Sequence, residues 1–127
     1  MKIKVVTTIA LLALLGTQPA LTADINVAGK YTAENGAVLT VEPTTESGQY
    51  RITARDPGDY FWEGIGYYSN DCKCIKSVFR YISHRDRYGD NPGYHKFEIK
   101  DNGDTLVKLG GWNSINEFRS DVFTRNK

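Results

Sequence analysis

Cys72-Lys-Cys-Ile-Lys-Ser-Val-Phe-Arg-Tyr-Ile-Ser-His-Arg85 is the longest run in this sequence rich in β-branched and aromatic residues. Side chains of those shapes pack well on a pleated surface, so the run reads as the longest strand and as the element around which the others are ordered. It carries both cysteines and one of the two histidines of the chain. No catalytic motif crosses it.

The flanking segments repeat the same grammar. Gln49 to Arg55 alternates, with Tyr50, Ile52 and Ala54 on one side and Gln49, Arg51, Thr53 and Arg55 on the other. That period of two marks a strand with one buried face. Asp56-Pro-Gly-Asp59 is a turn, and Tyr60 to Ser69 is an aromatic strand in which Gly64 and Gly66 predict a bend or bulge. Upstream, Gly29 to Ala33 and Ala37 to Glu42 flank Glu34-Asn35-Gly36, a tight hairpin signal, and Pro43 to Gly48 is a loop. Downstream, Asp86 to Gly93 is the longest polar loop, and Tyr94 to Lys100 alternates around His95, Phe97 and Ile99. Asp101-Asn-Gly-Asp104 is the strongest hairpin turn. Thr105 to Trp112 and Arg119 to Arg125 follow, joined by Asn113 to Phe118.

These segments make eight short strands with turns at regular spacing and no convincing helical period. Strands joined by hairpins predict an antiparallel meander. Eight is a number that closes, and closure removes the exposed edges that invite aggregation. The expected fold is all-β, an eight-stranded antiparallel up-and-down β-barrel. A two-sheet β-sandwich is the alternative.

The first residues bear on compartment. Lys2 and Lys4 precede the apolar run Val5 to Leu15, and Thr17 to Ala23 is a small-residue exit. That is the layout of a secretory signal peptide, and the apolar run falls short of the ~20 residues needed to span a bilayer. Residues 1–23 are therefore expected to be removed, leaving 24–127 as one secreted or periplasmic domain with no membrane insertion. Cleavage removes two of the 16 Lys and Arg and none of the 15 Asp and Glu, for a net charge of −1. A near-neutral chain argues against a dedicated nucleic-acid binder, which normally shows a basic face.

The first hairpin carries a resemblance. Gly29-Lys-Tyr-Thr-Ala-Glu-Asn-Gly-Ala-Val-Leu-Thr-Val41, followed by Gly48-Gln-Tyr50, resembles the opening strands of avidin-like barrels. The Gly29-x-Tyr31 start is similar to the Gly-x-Trp of lipocalins, with Tyr in place of Trp. The resemblance implies a calycin-like barrel in which Arg125, on the last strand, packs against the Tyr31 ring. Avidin-like proteins use Asn and Ser around this turn to bond the ureido group of biotin. The matching positions here are Ala33 and Ala37, and leaving such a ligand group unpaired costs roughly 1–3 kcal/mol. Biotin binding is therefore not expected.

Cys72 and Cys74 are the conspicuous pair. Exported cysteines are expected to be oxidised. On a straight strand their Cα atoms would lie ~6.5–7 Å apart, at the outer limit for a disulfide, unless a turn at Asn70-Asp71 runs into Cys72. A local disulfide, bridges to another chain, and reduced or metal-bound thiols all remain open. With His84 and His95 the cysteines offer zinc-ligand types, but the spacing fits no ligand rule, so no metal and no cofactor are expected. No Gly-x-Ser-x-Gly elbow or phosphate-cradling glycine loop is present. Asp56, Asp59, Asp71, Asp86, Asp90, Asp101 and Asp104 fall in turns, where Asp makes local backbone bonds. The chain therefore reads as a binding protein rather than an enzyme.

Aromatic residues are the remaining signal. Tyr31, Tyr50, Trp62, Tyr68, Tyr81 and Trp112 are the candidates to line a ligand cavity, because an eight-stranded barrel has room for one small molecule. A competing reading is a protein-binding or inhibitor module that uses loop 86–93 and an aromatic face. A hollow interior would favour the first, and a filled one the second.

Overall fold

A computed structural model describes residues 25–88, 92–111 and 120–127. The strands are β1 (Gly29–Ala33), β2 (Val38–Pro43), β3 (Gln49–Asp56), β4 (Tyr60–Ser69), β5 (Cys74–Tyr81), β6 (Gly93–Lys100), β7 (Thr105–Gly111) and β8 (Ser120–Arg125). Each pairs antiparallel with the next, and β8 returns to β1 with Tyr31 opposite Arg125 and Ala33 opposite Phe123. The sheet is a closed eight-stranded up-and-down barrel, not a sandwich. Residues 1–24, the polar-loop residues 89–91, Trp112 and the connection Asn113 to Phe118 lie outside the described residues.

Alternation decides what faces the axis. Leu39 stands opposite Ala54 and Ala54 opposite Trp62, while Val41 stands opposite Ile52 and Ile52 opposite Gly64. Tyr50, Ile52 and Ala54 therefore face inward, as expected, and Arg51 is exposed. Phe97, Leu106, Ile75 and Phe123 complete the middle of the core with essentially no exposure. Each such side chain contributes about 1.5–3 kcal/mol by leaving water.

The central strand is shorter than its sequence indicates and is not the longest, since β4 has ten residues and β5 eight. It begins at Cys74 and ends at Tyr81, because Lys73 and His84 adopt left-handed backbone angles (φ 53° and 57°) that no strand continues. One helical turn, Arg85–Tyr88, follows where the sequence indicates only loop. Gly64 and Gly66 mark no bulge either. Pairing runs unbroken through both, from Tyr60 to Tyr67 against β3 and from Trp62 to Ser69 against β5. Their role is close approach: a Cβ on Gly64 would lie 2.3 Å from the Val78 carbonyl oxygen, and one on Gly66 2.5 Å from Ile75 Cγ2.

The barrel has two ends. The lower rim holds the chain before β1 and the turns β2–β3, β4–β5 and β6–β7. The upper rim holds the turns β1–β2 and β3–β4, the end of β5 with the helical turn after it, and the ends of β7 and β8 at Gly111 and Ser120.

Candidate functional site

The upper half of the interior contains polar groups inside a cage of rings. Ser77 on β5 and His95 on β6 are direct cross-strand partners, both facing inward and both about 96% or more buried. Among the described residues, Ser77 Oγ and His95 Nδ1 have no hydrogen-bond partner. The His95 imidazole stacks on Phe79, with centroids 4.0 Å apart and planes 8° apart, and meets Trp62 edge-on at 4.8 Å. Trp62 also packs against Phe79 at 5.2 Å.

Glycine makes room for this cluster. Phe79 lies between Gly64 and Gly93, while the Ser77–His95 pair lies between Gly66 and Gly110. Four bare positions around the Phe79 and His95 rings let them lie flat across the barrel instead of colliding with neighbouring side chains.

Two charges close the cage. Lys108 on β7 reaches inward to Asp121 on β8, with Nζ to Oδ2 at 3.1 Å. The same ammonium lies 5.7 Å from the Trp62 ring centroid and 6.0 Å from that of Phe123, within range of their negative faces. The Trp62 indole N–H donates to Asp56 Oδ2 at 3.1 Å. Burial, helped by the nearby Lys108 ammonium, lowers the His95 pKa to about 2. The imidazole is therefore neutral at any ordinary pH, with hydrogen-bonding capacity and no charge.

The five aromatic candidates among the described residues divide between the ends. Trp62 and Tyr81 belong to the upper cluster, Tyr81 meeting Phe79 edge-on at 5.7 Å. Tyr60 stacks on His84 at 4.1 Å on the same rim. Tyr31, Tyr50 and Tyr68 lie in the lower half, beyond the filled middle. Tyr50 is half-buried near Tyr68, and burial raises its pKa. Trp112 lies outside the described residues. The candidates do not gather into one site.

Tyr31 is structural. Its hydroxyl lies 2.8 Å from the Val27 carbonyl and 2.7 Å from that of Gly103, and burial raises its pKa. Arg125 stacks on its ring at 5.1 Å. The Arg125 guanidinium also donates to the carbonyls of Asn26, Ala28 and Gly103 and to Asp104 Oδ1, tying the chain before β1 to the β6–β7 turn. Gly29 is needed beneath it: its φ is 144°, and a Cβ there would lie 2.8 Å from Arg125 Nη1.

Cys72 and Cys74 are bonded to each other, with Cα atoms 5.2 Å apart across the left-handed Lys73. The turn runs into Cys72 and brings the pair within range. With both thiols engaged at the lower rim and His95 in the upper half, the zinc-ligand types do not converge. Among the described residues no group of three or more His, Cys, Asp or Glu side chains does.

The alternation of β7 conceals the most polar part of the site. Val107 and Leu109 look like the inward residues, which would point Lys108 outward. The structure does the reverse, with Lys108 buried between Leu106 and Gly110. Asp56 likewise reads as a turn residue but ends β3 and holds the Trp62 indole. The available signal was that Gly64, Gly66, Gly93 and Gly110 sit near aromatic residues in three strands.

No family model, curated protein or solved structure matches the chain.

Proposed function

We propose that the chain is an exported barrel that binds rather than catalyses, and that it holds a small uncharged ligand in the upper half of the interior. The observation that carries this reading is the unpaired Ser77 Oγ and His95 Nδ1, two buried polar atoms side by side in an aromatic cage. Leaving a buried polar group unsatisfied costs about 1–3 kcal/mol, so a site that keeps two of them is suited to a guest that bonds to them.

Charge selects the ligand class. Lys108 is neutralised by Asp121 and His95 is uncharged, so an ionic ligand would enter without a counter-charge. A compact molecule with a flat face and a hydrogen-bonding edge, such as an amide, fits Trp62, Phe79 and the Ser77–His95 pair. Native mass spectrometry of protein purified from its own host tests the reading. A non-covalent small-molecule mass, released on denaturation and missing from a Ser77→Ala, His95→Phe variant, is the expected result. A spectrum of bare polypeptide would defeat it.

A further inference from the structure

The outer face of β4, β5 and β6 holds a second surface, independent of the interior. Ile65 and Tyr94, each 39% exposed, flank Val78, which is 49% exposed and stands opposite both. Tyr67, half exposed, stands opposite Lys76. A groove of about 470 Å³ opens over these residues, with Ile65 and Val78 as its floor and Tyr67, Tyr94 and Lys76 around it. An adjoining hollow of about 400 Å³ shares Ile65 and Val78 and is flanked by Arg51 and Arg80.

The charges around this groove are unbalanced. Lys76 stands directly opposite Lys96. Like charges facing each other across an antiparallel pair destabilise it. Glu63 and Glu98 share the face. Among the described residues, however, no carboxylate lies within ion-pair distance of Arg51, Lys76, Arg80 or Lys96. Glu63 stands opposite Arg80 and lines the adjoining hollow, so the excess of positive charge is concentrated at Lys76 and Lys96. An exposed apolar patch bordered by that pair is completed by a partner of the opposite sign.

We propose that this face docks a protein segment that sets carboxylates against Lys76 and Lys96 and places an apolar side chain over Ile65 and Val78. The groove favours a protein side chain over a bilayer, whose broad surface meets a concave site poorly. Tyr67 and Tyr94 also offer exposed rings on which bases stack, so a single-stranded oligonucleotide is the competitor that the test has to exclude.

The test is an amide-shift titration of the whole chain with four probes. These are a synthetic peptide alternating glutamate with leucine, its lysine-for-glutamate counterpart, phosphatidylglycerol vesicles and a single-stranded oligonucleotide. The acidic peptide is expected to shift the amides of Ile65, Tyr67, Lys76, Val78 and Tyr94. Its affinity is expected to fall about tenfold in a Lys76→Glu, Lys96→Glu variant and to hold in Val122→Asp, which changes an exposed residue on β8. Dispersed amide spectra of both variants establish that they fold. No localised shift, equal binding of the lysine peptide, or preference for vesicles or oligonucleotide would each overturn the proposal. None of these outcomes bears on the interior site, which native mass spectrometry reads separately.

Discussion

Arg125 lies across the ring of Tyr31, its direct partner in the β1–β8 pairing, with the guanidinium carbon 5.1 Å from the ring centroid. One side chain thereby joins both ends of the sheet where the barrel closes, while its N–H groups secure three backbone carbonyls and Asp104. Arg125→Ala is expected to cost about 3 kcal/mol, since it removes charged hydrogen bonds and strands the carbonyls. Arg125→Lys should recover less than half of that, because an ammonium lacks the planar fork. Urea unfolding midpoints measure both, and a loss under ~1 kcal/mol for Arg125→Ala would show that the closure does not depend on it.

Strand β3 allows a test of register. Ile52 is 1% exposed and Arg51 points to solvent. Ile52→Asp places an unpaired carboxylate in the core and should leave the protein largely unfolded, whereas Arg51→Asp should stay within about 0.5 kcal/mol of wild type. Circular dichroism reads both. Equal stability would mean that the inward face has been misassigned.

The barrel was legible because its cues are local. Asn35-Gly36 and Asp101-Asn-Gly-Asp104 declare their turns, and β3 and β6 alternate plainly. The site was much less so, because it depends on which strands the closed sheet makes neighbours. Ser77 becomes meaningful only opposite His95, and Lys108 only once Asp121 lies beside it. The strand ends at Lys73 and His84 were hidden for a different reason. Their backbone angles are imposed by the turns, and neither Lys nor His announces them as Gly would.

The Lys108–Asp121 pair should be sensitive to the loss of one partner. Asp121→Asn leaves an ammonium, 11% exposed, without a counter-ion and is expected to cost about 2–3 kcal/mol. Lys108→Met combined with Asp121→Asn removes the charge altogether and should return most of that stability. Thermal unfolding of the single and double variants checks this, and an additive double variant would show that the two groups act separately.

The disulfide should matter little to stability. Its closed loop is so short that it removes little freedom from the unfolded chain, so the Cys72→Ser, Cys74→Ser variant should lose on the order of 1 kcal/mol or less. An unchanged circular-dichroism spectrum with a melting point lower by a few degrees is expected. Loss of the fold would mean that the pair organises the start of β5.

His95 should make the protein acid-labile in a defined window. Its folded pKa of about 2 lies well below the ordinary histidine value of 6.5, chiefly because burial penalises the imidazolium and secondarily because Lys108 is near. Above about pH 6.5 both folded and unfolded chains carry a neutral imidazole, and the group adds no pH dependence. Below that value the unfolded chain takes up a proton that the folded chain refuses, so stability falls with falling pH, by up to about 1.4 kcal/mol per unit, until the folded group titrates. His95→Phe keeps the flat ring against Phe79 and removes the proton site. At pH 7 its stability should lie within about 1 kcal/mol of wild type, since the buried Nδ1 that it removes makes no hydrogen bond among the described residues. The two proteins share every other ionisable group, so the difference between them isolates the histidine. Urea unfolding at pH 7, 5.5 and 4.5 should show the variant gaining on wild type at each step down, with the larger gain at the second. A constant difference across the three pH values would mean that His95 takes its proton in the folded barrel, and that the upper interior is open to water.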